Sequence, residues 1–488
     1  YTSVGRPDHH SMLLLLALVL IGLTARLAAA QDLRAARLAG AIAALGIWVS
    51  PEAMTFVAVS LATLGLFWVS GTPELARTQR AYLVSTAAVL ALALVIERGP
   101  SGLLAAESDR LSIVHVVLFA LIAAFWTVVA RAERAGGLGS ASARRYHDEA
   151  ASHWRSPAAA AIRRLVVALV GVAAIAALML LCFPDLRYGP LGTVDPLYAR
   201  IRLYNIVEIQ PLLPADWLTS DRLGEILGRV IKVVGIALFA IPFLGVLLVR
   251  SSGAAWRFWA TVALALLAFV PLAFYQVRWA SYAEAFLVWP YAAAVAWALG
   301  RLTRTAGGAG VLLRPLVILA ALFWPLLLAA ALPQQEIETA GRACPVDRLA
   351  EVLNRAAAPR TLLAYADYGS ELLYRTPHRV LSIPNHRPQP GFAATYRILT
   401  ATEEATAQAE LTRFGVDWVL LCPSATERAL FAVPGETRPT LYQRLVDGDA
   451  PPWLRPLPLE GDLATEARLF EVVRDAERSV AADSGLPR

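Results

Sequence analysis

The stretch Asp8-His9-His10-Ser11-Met12-Leu13-Leu14-Leu15-Leu16-Ala17-Leu18-Val19-Leu20 reads as the lip and first turns of a membrane helix. One carboxylate and two imidazoles stand directly before an uninterrupted apolar run. Ionisable groups at such a place are costly and mark function by default. Asp8 also suits the helix N-terminus, as a cap and as a charge facing the dipole. Carboxylate oxygen and imidazole nitrogen are ligand types for a divalent metal. The two roles are compatible. A metal held here would neutralise phosphate on a lipid-borne substrate.

The rest of the chain supports a membrane setting. Of 488 residues, 57 % are hydrophobic, and the mean hydropathy is +0.54. A soluble domain of this size does not need so much apolar sequence. Apolar runs of span length fall at about 11–29, 38–49, 52–70, 81–97, 111–130, 165–182, 229–249, 258–275, 280–299 and 312–332. The break between the second and third is Ser50-Pro51-Glu52, where proline cannot continue the hydrogen-bond ladder. Ten membrane segments are expected. Arg131, Arg134, Arg144, Arg145, Arg155, Arg163 and Arg164 make the loop 131–164 cytoplasmic. Alternation then puts Asp8–His10, the loop 98–110, the long loop 183–228, the turn at Arg278 and everything past 333 outside. Lys232 is the only lysine, so the net charge of +6 reflects an Arg-rich composition and not nucleic-acid binding. Tyr1 opens the sequence close to a span, which reads as an N-terminal truncation without a visible signal peptide.

From about 334 the apolar runs shorten to strand length: Thr361–Ala364, Val380–Ile383, Trp418–Cys422 and Leu469–Val473. Helical patterns such as Glu403–Phe414 lie between them. Two domains follow: a polytopic all-α membrane domain over 1–333, with the external loop 183–228, and an external α/β domain over 334–488. Cys344 and Cys422 are able to pair if both face an oxidising compartment.

Several external features carry possible chemistry. Asn205-Ile206-Val207-Glu208-Ile209-Gln210-Pro211 lies in the long loop, and loops of that length are commonly functional. Its plainer reading is a solvated carboxylate. Arg278, in Gln276-Val277-Arg278-Trp279, sits at an outer helix end against the positive-inside bias. A guanidinium there grips a diphosphate bidentately, or snorkels. Asp367-Tyr368-Gly369 follows a strand and reads by default as a turn. Glu107-Ser108-Asp109-Arg110 with His115 is a rival metal cluster; mutual ion pairing and helix capping are its simpler reading. Arg375-Thr376-Pro377-His378 and Pro384-Asn385-His386-Arg387 face either the membrane site or solvent.

In order and sidedness these motifs resemble the catalytic subunits of oligosaccharyltransferases, within the GT-C class of membrane glycosyltransferases. In that family an Asp-x-Asp or Asp-x-His precedes the fourth of thirteen helices, and Asp8-x-His10 is similar. Gly40 to Trp48 is similar to its Gly-rich, Trp-containing helix pair. Asn205 to Pro211 resembles its Ser-Val-Ser-Glu-His-Gln-Pro loop motif. Arg278-Trp279-Ala280-Ser281-Tyr282 is similar to its diphosphate-binding Arg motif. Asp367-Tyr368-Gly369 keeps half of Trp-Trp-Asp-Tyr-Gly, with Tyr365 and Ala366 replacing both tryptophans. The family's first acidic motif has no counterpart in this sequence.

The resemblance implies transfer of a sugar or glycan from a polyprenyl phosphate or diphosphate to an external acceptor, with protein Asn as the acceptor that oligosaccharyltransferases use. Asp8, His10 and Glu208 would hold Mn²⁺ or Mg²⁺, with Asp8 and Glu208 catalytic. Arg278 would bind the donor phosphate, and Asp367, Tyr368 and Gly369 the acceptor. The setting would be an inner (plasma) membrane, multi-pass, with the C-terminal domain periplasmic. Two alternatives stay open: a GT-C transferase acting on a lipid or polysaccharide, and a non-catalytic polyprenyl-lipid-binding or transport protein.

Overall fold

The computed structural model describes residues 10–136, 138, 157–189, 194–201, 207–213, 223–235, 238, 240–331, 344–384, 389–432 and 438–474. The chain divides into two compact units, 1–193 with 207–333 and 194–206 with 334–488. The first unit is helical: α1 (His10–Ala30), α2 (Leu33–Val49), a 3₁₀ turn (Pro51–Ala53), α3 (Met54–Val69), α4 (Leu75–Gly102), α5 (Ile113–Arg134) and α6 (Pro157–Cys182). The long loop carries a 3₁₀ turn (Pro184–Tyr188), α7 (Pro196–Ile201) and a second 3₁₀ turn (Val207–Ile209). Then follow α8 (Leu223–Val234), α9 (Ile241–Arg250), α10 (Gly253–Tyr275), a 3₁₀ turn (Val277–Trp279) and α11 (Ala280–Ala331). Among the described residues seven helices are long and apolar enough to cross a membrane.

Three expectations about the spans change. The run 229–249 is two helices, broken at Gly235, whose φ of +79° suits glycine. The runs 280–299 and 312–332 form one helix of 52 residues. The four glycines at 300, 307, 308 and 310 weaken a helix by about 1 kcal/mol each, but each keeps its N–H, so the ladder continues. Arg163 and Arg164 lie in α6 instead of the preceding loop.

Small residues let the helices approach. Ala35, Ala36, Ala39, Gly40, Ala43 and Ala44 form one buried face of α2. A Cβ on Gly40 would stand 2.2 Å from the Tyr82 carbonyl oxygen of α4, so glycine is required there. Thr24 Oγ1 bonds back to the Leu20 carbonyl and meets Ser60 Oγ of α3 at 2.6 Å. At the far end of α3, Trp68 Nε1 and Arg164 Nε both donate to Glu133 Oε1, at 2.8 and 2.7 Å. This buried charge pair ties α3, α5 and α6 together.

The second unit holds α12 (Val346–Leu353), β1 (Thr361–Leu363), α13 (Ala366–Arg375), β2 (Arg379–Val380), α14 (Gln389–Leu399), α15 (Glu404–Arg413), β3 (Trp418–Leu421), α16 (Ala425–Phe431), α17 (Leu441–Asp447), β4 (Leu454–Leu457), α18 (Leu463–Glu466) and β5 (Arg468–Val472). The sheet order is β2-β1-β3-β5-β4. β2, β1 and β3 run parallel; β5 pairs antiparallel with β3 and β4. β4 was not expected, because Pro456 interrupts its strand pattern. Both faces of the central strands are covered. Leu363, Val419, Leu421 and Phe470 enter one core, and Leu362, Trp418, Leu420 and Leu469 the other. Cys344 and Cys422 are disulfide-bonded, with Cα atoms 5.5 Å apart. Tyr198 of α7 packs edge-on against Phe392 of α14, ring centroids 4.8 Å apart.

Candidate functional site

The site lies where α1 begins, where α2 gives way to α3, and where α10 gives way to α11. Proline at 51 prevents α2 from continuing, and Ser50 caps the turn that follows by accepting the Glu52 N–H at 3.3 Å. That turn presents the Glu52 carboxylate. Its Oε2 lies 3.7 Å from His10 Nε2 and 3.8 Å from Arg278 Nη1. The Glu52 side chain is 11 % exposed. Among the described residues its other oxygen, Oε1, has no hydrogen-bond partner though buried, and the same holds for Arg278 Nε. A buried acceptor and a buried donor left open in one cluster are costly unless a ligand completes them.

Arg278 is held from below by aromatics. Its guanidinium lies 4.9 Å from the Trp279 ring centroid. Trp279 and Tyr282 pack on Phe269, and Tyr282 on Phe56. The long loop is fastened beside it. Val277 N–H donates to the Gln210 carbonyl and Leu212 N–H to the Phe274 carbonyl, each at 3.0 Å. These bonds fix Glu208-Ile209-Gln210-Pro211 against the α10–α11 junction that carries Arg278. Glu208 itself is half-buried on its 3₁₀ turn.

Of the membrane-side residues expected from sequence, the structure thus gathers His10 and Arg278 around one carboxylate and pins the Glu208 segment next to Arg278. Asp8 lies outside the described residues. Glu52 was missed: sequence gave it only the role of a helix break. Its signal was an acid one residue after the proline at a helix junction. Among the described residues no three metal-type side chains converge. His10 and Glu52 nonetheless form a nitrogen-and-oxygen pair whose open Oε1 suits a cation.

Asp367-Tyr368-Gly369 is not a turn. It forms the first turn of α13 in the α/β unit. Asp367 is exposed, while Tyr368 packs edge-on against Tyr365 at 5.3 Å. A Cβ on Gly369 would meet the Ser382 carbonyl at 2.1 Å, so that glycine serves close packing. Burial raises the Tyr368 hydroxyl's pKa, and the nearby Glu427 adds to this. His378 is structural: its Nδ1 accepts the Arg360 N–H at 3.0 Å and its Nε2 donates to the Leu353 carbonyl at 2.9 Å. Residues 385–387 lie outside the described residues.

The rival cluster is an ion-pair clamp. Glu107 binds both Arg98 and Arg110, and Arg98 also donates to the Leu111 carbonyl. The Arg110 hydrogen bond and Arg98 hold the Glu107 carboxyl down at about 2. His115 lies 3.3 Å from Ser112 Oγ.

The chain, a helical unit with seven helices of membrane-span length and an α/β unit, shares its fold with known membrane proteins. The chain matches solved structures of the archaeal oligosaccharyltransferase AglB from Archaeoglobus fulgidus. With the complex containing an inhibitory peptide and a dolichol-phosphate the TM-score is 0.60 at 14 % identity, covering 85 % of this chain and 52 % of that one. With the form tethered to an acceptor peptide containing the NVT sequon it is 0.60 at 13 %, covering 86 % and 52 %. With the complex with Zn and sulfate it is 0.52 at 12 %, covering 85 % and 49 %. The chain therefore spans about half the length of the structures it matches. No protein-family model matches the sequence, and no curated protein does.

Proposed function

We propose that this protein is a membrane glycosyltransferase that moves a sugar or glycan from a polyprenyl phosphate or diphosphate to an acceptor outside the membrane. The observation that carries the reading is the cluster of His10, Glu52 and Arg278 with the Glu208 segment tied beside it, on a GT-C fold. Arg278 takes the donor phosphate; its open Nε and its Nη groups offer the paired donors that phosphate oxygens accept. The acceptor nucleophile bonds to the sugar C1 as the C1–O bond breaks with its electron pair left on the phosphate oxygen, and Arg278 offsets that charge. Asp8, His10 and Glu208 would hold a divalent cation, Mn²⁺ or Mg²⁺, whose contribution would be to polarise the leaving phosphate. Glu208 orients the acceptor nucleophile and receives its proton, with Asp8 as the second catalytic carboxylate. The helix turn Asp367-Tyr368-Gly369 positions the acceptor. The AglB structures, with dolichol-phosphate, acceptor peptide and Zn in turn, support the donor class, a peptide acceptor and a metal.

A lipid or polysaccharide acceptor is the second reading. It is favoured by Tyr365 and Ala366, both buried in the α/β unit, where the family resemblance calls for two tryptophans. For location we propose the inner (plasma) membrane with the α/β unit outside. Helix counting does not decide the side, since 280–331 is continuous. Two other facts support it. Residues 194–201 of the loop after α6 belong to the α/β unit, and that unit carries the Cys344–Cys422 disulfide, which belongs to an oxidising compartment.

The test is transfer from a labelled polyprenyl-diphosphate donor, with Mn²⁺ or chelator, to a sequon peptide or a membrane-lipid fraction. Arg278→Gln should abolish donor binding, and Glu208→Ala should abolish transfer while donor still binds. Donor binding without transfer to any acceptor, unaffected by chelator and by Glu208→Ala, would leave a lipid-binding or transport protein.

A further inference from the structure

We propose that Glu52 is itself a ligand of the divalent cation, paired with His10, and so belongs to the reactive centre. The inference rests on the metal-dependent reading above and extends it to a residue outside every motif that the family resemblance covers.

Three observations carry it. The first is distance. His10 Nε2 and Glu52 Oε2 are 3.7 Å apart, too long for a hydrogen bond. Two ligand atoms each about 2.1 Å from one cation reach that separation at an angle of roughly 120°. The pair is spaced to share an ion. The second is the open oxygen. Oε1 of Glu52 is buried and has no hydrogen-bond partner. The ion pair with Arg278 is made through Oε2, at 3.8 Å. A carboxylate kept solely to neutralise Arg278 would gain from closing that gap into a bidentate pair; this one keeps an oxygen aside. The third is the backbone. The Ser50 cap and Pro51 hold the turn in one place, and Gly46 brings α2 close to it, since a Cβ there would lie 3.1 Å from Ala53 and Phe56. The carboxylate is therefore presented by a rigid corner, as a ligand should be.

The placement also orders the charges. Glu52 stands between His10 and Arg278. A cation on the His10 side and a donor phosphate on the Arg278 side would each face a group of opposite charge, with the guanidinium a positive neighbour of the cation across Glu52. Arg278 Nε, buried and open, remains for the phosphate.

The experiment is Mn²⁺ binding to the detergent-solubilised chain, followed by electron paramagnetic resonance of free Mn²⁺, with labelled polyprenyl-phosphate binding measured in parallel. Wild type should bind Mn²⁺. Glu52→Gln and His10→Ala should each weaken that binding at least tenfold, and Glu52→Asp should restore part of it. Arg278→Gln should bind Mn²⁺ as tightly as wild type or more tightly, because a positive charge beside the ion is gone. Thermal unfolding without metal checks that each variant is folded. If Glu52→Gln binds Mn²⁺ like wild type, Glu52 is only the counter-ion of Arg278 and the inference is overturned, while the transferase reading stands. If wild type binds the lipid phosphate but no Mn²⁺, the metal reading fails and this inference with it.

Discussion

Glu427 should make the α/β unit lose stability as pH rises, which is the reverse of ordinary carboxylate behaviour. It sits on α16, fully buried. One oxygen accepts the Cys422 N–H at 3.1 Å, and the Tyr368 and Tyr442 hydroxyls lie beside the carboxyl. Burial outweighs these hydrogen bonds and pushes its carboxyl up to about 8 from an ordinary 4.5. In the unfolded chain it ionises near 4.5. Between about pH 4.5 and pH 8 the folded unit therefore holds a proton that the unfolded chain has lost. Stability from this group is complete below 4.5, falls through the window, and levels off above 8. The slope is at most about 1.4 kcal/mol per pH unit. From pH 5 to pH 7 the opening constant of the unit should rise by up to about 100-fold. Hydrogen exchange at the β3 and β5 amides, corrected for the intrinsic rate, measures that constant in the intact protein. Glu427→Gln keeps an acceptor for Cys422 N–H and removes the titration. It should flatten the pH dependence and leave the unit more stable at pH 7. Opening that is independent of pH in wild type, or equally steep in both proteins, would refute the argument.

Three further outcomes are expected. Gly40→Ala places a methyl 2.2 Å from the Tyr82 carbonyl and should destabilise the membrane unit by about 1–3 kcal/mol, read as a lower unfolding temperature in detergent. Arg164→Ala strands Glu133, 5 % exposed, without its cation. It should cost about 3–5 kcal/mol, and Glu133→Gln combined with Arg164→Ala should recover part of that loss. Cys422→Ser opens a loop of 78 residues and should lower the stability of the α/β unit by up to about 4.5 kcal/mol on the loop-entropy account, with intact mass confirming the lost bridge.

What the sequence made legible follows the range of each force. Helix positions were readable because hydrophobicity is local, and α1, α3, α5 and α10 fall near their expected runs. Strands β1, β3 and β5 were readable for the same reason, as short apolar runs between polar ones. Breaks were readable only where a residue removes a hydrogen bond, as Pro51 does. Where glycines merely weaken the helix, as at 300–310, expectation and structure part. β4 failed in the other direction: Leu454-Arg455-Pro456-Leu457 is too short and interrupted to announce itself, and it forms because β5 supplies a pairing edge. That edge is a tertiary fact.

The site divides along the same line. Arg278 announced itself because the topology expected from sequence set it against the charge rule, and His10 by preceding a span. Each signal belongs to one residue and its neighbours. Glu52 carried no such mark, because a proline-acid pair at a helix junction has an adequate local explanation as a break and a cap. Its second meaning arises only when α1 and the α10–α11 junction bring an imidazole and a guanidinium to within 4 Å of it. Local patterns therefore locate the rim of such a site, while packing selects which rim residues face each other. A carboxylate explained by its own turn should be reconsidered whenever that turn faces cationic or metal-ligating side chains from distant segments and keeps an oxygen unpaired.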